Sequence, residues 1–205
     1  MKTCIYMVRH GDSPKEGNER TRILSDKGLQ DAHRITEILK REGINTVVSS
    51  PYIRSVLTVE PLAKELGQDV IEIENLKEKI TSAEDIRISD QELMPLLTKS
   101  FSEPHFALEG AESNAACQKR AVEALKSLLT TYSGQKIAVG THGIVMTLMM
   151  NFYDEKYDLD FLHSTSKPDI YKMTFDGEEL VDVQRLWKDV EDASKAGYGG
   201  DHHDR

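Results

Sequence analysis

The chain has 205 residues, 39% of them apolar and 30% charged, with a formal net charge of -9. That balance describes a globular chain with one sizeable core and argues against fibrous or low-complexity classes. It also argues against general affinity for nucleic acid or an anionic membrane surface, since both require an excess of Lys and Arg; any anion site has to be local.

In chain order, "TCIYMVRH" is apolar up to Val8 and then sets Arg9 and His10 side by side, a buried strand that ends in charge. "SDKGLQDAHRITEILKREG" predicts a helix with Ser25 as N-cap, an apolar face of Leu29, Ala32, Ile35 and Leu39, and a stop at Gly43. "INTVVSS" repeats the strand character. "SPYIRSVLTVEPLAKELG" predicts a second helix with Ser50 as cap, Pro51 in its first position and Gly67 at its end, kinked or divided at Pro61.

Residues 73–107 are charged and weakly periodic and predict an excursion over the rim of the sheet. "SNAACQKRAVEALKSLLTTYSG" is an amphipathic helix with Val122, Leu125, Leu128 and Leu129 on one face. "KIAVGTH" is a third strand, followed by the apolar "IVMTLMM", whose Met146, Met149 and Met150 suit core filling. "DIYKMTFDGEELVDVQRLW" predicts a hairpin around Asp176-Gly177. The polar, glycine-rich residues 189–205 predict a disordered tail, which leaves 1–188 as one domain.

Strands alternating with helices predict the α/β class, a three-layer α/β/α arrangement whose mainly parallel central sheet is covered on both faces. In such sheets function gathers at the carboxyl ends of the strands. No apolar run approaches the roughly 18–20 residues of a membrane span, and the first apolar stretch is too short for a signal peptide, so a cytoplasmic location is expected. Cys4 and Cys117 belong to no CxxC pair, and neither a structural disulfide nor a zinc site is expected. Nothing in the pattern sets an oligomeric state.

Three predicted strand ends carry the chemistry: Arg9 and His10 end the first, "SSPYIR" follows the second, and "GTHG" ends the strand containing Val139. Arg54 sits about one turn inside its helix, where side chains lean back toward the N-terminus and so toward the strand ends. Two arginines and two histidines beside exposed helix-start amides suit a phosphoryl group.

The ordered set "VRHGDS", "SSPYIRSVLT", "LKE", "EGAES" and "GTHG" resembles the histidine phosphatase superfamily, the phosphoglycerate mutase-like proteins, from about Thr3 to Trp187. The resemblance implies that fold, no cofactor and no metal. It implies that His10 becomes phosphorylated, that Arg9, Arg54 and His142 surround the phosphoryl group, and that Glu78 donates the proton. Asn18, which comes slightly late in "EGNERTR", and Ser13 are further candidates for phosphate contact. For the acid, Glu84, Asp85 and Glu109 stay open beside Glu78, because "KEKITSAEDIRISD" lacks the glycine, tryptophan and second acid that often follow. Ala111 replaces the commoner second glycine of the "EGAES" motif.

These roles agree with elementary chemistry. A neutral imidazole nitrogen attacks phosphorus and splits one difficult displacement into two, while fixed cations meet the charge on the non-bridging oxygens. The expected activity is a metal-independent phosphomonoesterase of the histidine acid phosphatase type, with a small phosphorylated substrate and inorganic phosphate as product. The alternatives are a cofactor-dependent phosphoglycerate mutase and a non-catalytic phospholigand-binding member. The acid-rich excursion disfavours strongly polyanionic substrates. His33, His105 and His163 form no constellation, although His105 or His163 is a candidate for the mouth; His202 and His203, in the tail, carry no expected role.

Overall fold

The computed structural model describes residues 1–84 and 86–188. The expected disordered tail, with His202 and His203, and the acid candidate Asp85 lie outside the described residues.

Six strands form one sheet. They are β1 (Lys2–Arg9), β2 (Thr46–Ser49), β3 (Ile71–Glu72), β4 (Lys136–Thr141), β5 (Asp169–Asp176) and β6 (Glu179–Arg185), in the spatial order β3-β2-β4-β1-β5-β6. The β3, β2, β4 and β1 strands run parallel, and β5 and β6 close one side antiparallel. The expected mainly parallel α/β sheet is therefore present.

Side chains alternate across β1, and the sheet is buried on both faces for that reason. Ile5 and Met7 join one core with Ile137, Val139 and residues of helices α4 (Asn114–Thr131) and α5 (Gly143–Tyr153). Tyr6 and Val8 join another with Ala138, Val47 and residues of helices α1 (Asp26–Lys40) and α2 (Ile53–Glu65). Two cores, one on each face, are the three-layer arrangement. Met146, Met149 and Met150 are fully buried as core filling. Among the described residues no helix is long and apolar enough to cross a membrane. Cys4 and Cys117 are buried free thiols.

Several local expectations shift. Ser25 caps α1 through a bond from the Gly28 amide, but Leu29 is exposed, because its position falls outside the buried stripe of Ala32, Ile35 and Leu39. Helix α2 starts after Tyr52, not at Pro51, because the Ser50 hydroxyl accepts the Tyr52 amide and shapes a turn before the helix. Pro61 does not divide it. The hairpin loop is Gly177-Glu178, one residue later than the expected turn pair, with Gly177 at φ 60°.

The excursion holds a regular element, helix α3 (Asp90–Ser102). Ser89 and Glu92 form a reciprocal capping box at its start. A short helix, α6 (Leu159–Ser164), precedes β5.

Candidate active site

The parallel register aligns the ends of three strands: Arg9 of β1 pairs with Thr141 of β4, and Ser49 of β2 pairs with Gly140. The ladder continues one residue further, with the His10 amide donating to Thr141 and the Ser50 amide to Gly140. His10, Ser50 and His142 consequently leave the sheet side by side, and the His10 and His142 rings stand 5.3 Å apart.

His10 is 5% exposed. Its Nδ1 donates to the Gly11 carbonyl at 2.7 Å, and Arg54 Nε lies 3.2 Å from its Nε2. A carbonyl only accepts and a guanidinium only donates, so the proton is on Nδ1 and the lone pair on Nε2. Burial, then the Arg54 and Arg9 charges, hold this imidazole well below its ordinary pKa. It is neutral at neutral pH.

Arg54 is fully buried in the first turn of α2 rather than one turn inside it. Its Nη1 bonds the Glu19 carbonyl and its Nη2 a Glu19 carboxylate oxygen at 2.7 Å. Burial and the Arg22 charge push it down to about 10, which leaves it a cation. Arg9 Nη1 bonds the Thr165 carbonyl and hydroxyl.

His142 is fully buried, with Nε2 2.7 Å from the Ser50 hydroxyl. Burial, then Arg54, keeps it neutral too. Two buried nitrogens here have no hydrogen-bond partner among the described residues, Arg9 Nε and His142 Nδ1. Buried polar atoms ordinarily find partners, and Arg9 Nε, which carries a hydrogen, is free to donate to an anion's oxygen.

Glu78 meets this cluster from the opposite side. Its Oε1 accepts the amides of Val145 and Lys79, both at 2.8 Å, and its Oε2 accepts the Ile144 amide at 3.0 Å. The carboxylate thus sits on the N-terminus of α5, where the helix dipole and free amides favour negative charge. A clamp fixes its segment. Arg120 donates to the carbonyls of Asn75, Lys77 and Glu78 and forms a two-pronged pair with Glu112, which itself accepts the Ile80 amide. Glu112 belongs to the "EGAES" motif. Lys79 turns away, its ammonium donating to Ser100 and Asn114.

A cavity of about 270 Å³ opens onto Arg9, His10, Arg54 and Glu78, with Gly143 in its wall. Four of the predicted residues therefore share one space, with His142 packed beside His10. Asn18 and Ser13 do not line it. Asn18 accepts the Arg20 and Thr21 amides and closes a turn, while Ser13 donates to the Ile23 carbonyl and accepts from Arg22. Glu84 and Glu109 are exposed and outside the cavity. His163 lines it; His105 belongs to a separate surface cavity with Asn114 and Gln118.

Sequence reasoning missed Glu19, the carboxylate that holds Arg54, although it directly follows Asn18. It also misjudged the charge of the excursion, which brings Arg87 to the cavity along with Glu78 and Asp90. Exposed acids such as Glu84 and Glu103 dominate its composition but face solvent.

The family model for the histidine phosphatase superfamily (branch 1) matches residues 5–187. A search of curated proteins gives no match. Among solved structures, YhfR from Bacillus stearothermophilus superposes with a TM-score of 0.74 at 24% identity, covering 87% of this chain and 94% of that one. A mycobacterial glucosyl-3-phosphoglycerate phosphatase gives 0.71 at 15% identity, covering 90% and 97%. Phosphoserine phosphatase from Entamoeba histolytica, in complex with 3-phosphoglyceric acid, gives 0.72 at 19% identity, covering 91% and 98%.

Proposed function

The chain belongs to the histidine phosphatase superfamily, and from that membership we propose that it hydrolyses small phosphomonoesters through a phosphohistidine on His10, without a metal ion. The observation that carries this reading is the His10 tautomer: Nδ1 is tied to Gly11, and Nε2 holds its lone pair in the cavity beside two guanidinium groups.

In the first half-reaction the Nε2 lone pair attacks phosphorus and the ester P–O bond breaks, its electron pair going to the leaving oxygen. Arg54 Nε releases the lone pair and turns its N–H to a phosphoryl oxygen. Arg9, Arg54 and His142 meet the equatorial oxygens, where charge spreads in the transition state. Glu78, entering this step as the carboxylic acid, gives its proton to the departing alkoxide and becomes the carboxylate. In the second half-reaction water attacks phosphorus, Glu78 takes its proton, the P–N bond breaks, and inorganic phosphate leaves.

The test is release of inorganic phosphate from para-nitrophenyl phosphate with a chelator present. The wild type should turn over, His10→Ala should not, and Glu78→Gln should lose about 10²–10⁴-fold. Labelled substrate followed by a rapid quench should trap an acid-labile phosphoenzyme in the wild type. Turnover by His10→Ala at the wild-type rate would sink the mechanism. Interconversion of phosphoglycerates without phosphate release would instead identify a mutase, and tight phosphate-ester binding with neither reaction a binding protein.

A further inference from the structure

The cavity carries more positive charge than the transfer of one phosphoryl group requires. Six cationic side chains line it against three carboxylates. Arg9 and Arg54 flank His10, and Lys79 is turned to Ser100 and Asn114. Arg22, Arg87 and Lys167 have no task in the proposed reaction.

The acids near these three are already shared. One Glu19 oxygen serves both Arg22, at 3.1 Å, and Arg54, at 2.7 Å. Asp90 gives one oxygen to Arg87, at 2.5 Å, and the other to Lys15, at 3.0 Å. Lys167 has no ion pair or hydrogen bond among the described residues. The Arg22 side chain is 10% exposed, and its Nε lacks a partner. Partial desolvation, then repulsion from Arg9, Arg87 and Arg22, lowers the Lys167 ammonium to about 8. Like charges held together at this cost are stabilised by an anion brought in from outside.

Lys167 is exposed while His10 is buried, so the Lys167 side chain stands toward the open side of the cavity, with the nearly buried Arg87 and Arg22 side chains in its wall. A cavity of about 270 Å³ suits a small molecule. Resting on the phosphomonoesterase reading, we propose that Lys167, Arg87 and Arg22 form a second anion subsite, and that the substrate is a small phosphomonoester carrying a further carboxylate or phosphate. This reverses the expectation that the mouth disfavours polyanions.

Three compounds on one three-carbon chain test it: 3-hydroxypropyl phosphate, 3-phosphooxypropanoate and propane-1,3-diol bisphosphate. With the wild type, kcat/KM for one or both of the doubly anionic compounds should exceed that of the hydroxyl compound at least tenfold, and which of the two does so identifies the second group. That ratio should fall at least tenfold in Lys167→Met and again in Lys167→Met/Arg87→Met. Equal kcat/KM for all three compounds, or a ratio unchanged in both variants, would overturn the subsite while leaving the hydrolase intact. If nothing is hydrolysed, the hydrolase reading falls alone: calorimetric binding of the same compounds to wild type and Lys167→Met then decides the subsite, a Lys167-dependent gain in affinity supporting it and equal affinities overturning it.

Discussion

Arg54 Nε points its N–H at His10 Nε2 across 3.2 Å, so the cation proposed to stabilise the transferred phosphoryl group also holds the lone pair of the proposed nucleophile. Both side chains are almost wholly buried. The relation depends on the guanidinium fork: Nε faces His10 while the two Nη atoms are tied to Glu19. Lysine offers a single point charge and no fork. Arg54→Lys is therefore expected to lower kcat by about a hundredfold or more, measured by steady-state phosphate release. A rate within threefold of wild type would show that charge alone suffices.

The two buried histidines make stability depend on pH. Both are held well below the ordinary imidazole value, by burial first and by the Arg54 charge next. In the unfolded chain they bind protons below about 6.5, which the folded chain does not until much lower pH. Stability from each is thus fully present above that value and is lost as pH falls below it, by about 1 kcal/mol per pH unit. Urea unfolding at pH 7.5, 6.5 and 5.5 should show this slope, and His142→Asn should flatten it. The same shift places the acid limb of kcat/KM that belongs to His10 well below 6.5; a ring-nitrogen titration of His10 centred near 6.5 would contradict the burial argument.

The Glu112–Arg120 clamp is expected to act on the reaction only through Glu78. Removing Arg120 frees three carbonyls and leaves a largely buried carboxylate at Glu112, so Arg120→Met should cost about 3 kcal/mol of stability and lower kcat by an order of magnitude or more. A double-mutant cycle separates the effects. In a Glu78→Gln background the kcat loss should shrink to under twofold while the stability loss persists. Full additivity in kcat would mean the clamp does not position Glu78.

Sequence alone showed what lies at the ends of strands, because Arg9, His10 and His142 interrupt apolar runs where a parallel sheet must present its carboxyl edge. Glu78 was legible only through resemblance, since its hold on the α5 amides joins segments 66 residues apart. Helix α3 was hidden by Pro95 and a dense charge pattern, although Ser89 and Glu92 stood at the spacing of a capping box. Asn18 was a candidate only through resemblance, and Glu19 carried no signal of its own; burial of Arg54 required a carboxylate beside it. Lys167 could not be found this way, for its meaning comes from Arg9, Arg22 and Arg87, which the fold alone brings near.

Gly143, the first residue of α5, lies against the Arg9 guanidinium. A Cβ added there would stand 2.8 Å from Arg9 Nη2 and 2.9 Å from Cζ, closer than such atoms pack. The obstructed group is the far end of a flexible side chain, so the fold yields by moving Arg9, and alanine is the better helix former by up to about 1 kcal/mol. Gly143→Ala should then leave thermal stability unchanged or slightly higher while kcat falls by about a hundredfold, the usual result of displacing a reacting or stabilising group by an ångström. Gly143→Ala with unaltered kcat would show that the Arg9 guanidinium is not held at a fixed place during phosphoryl transfer, and the role proposed for it would have to be given up.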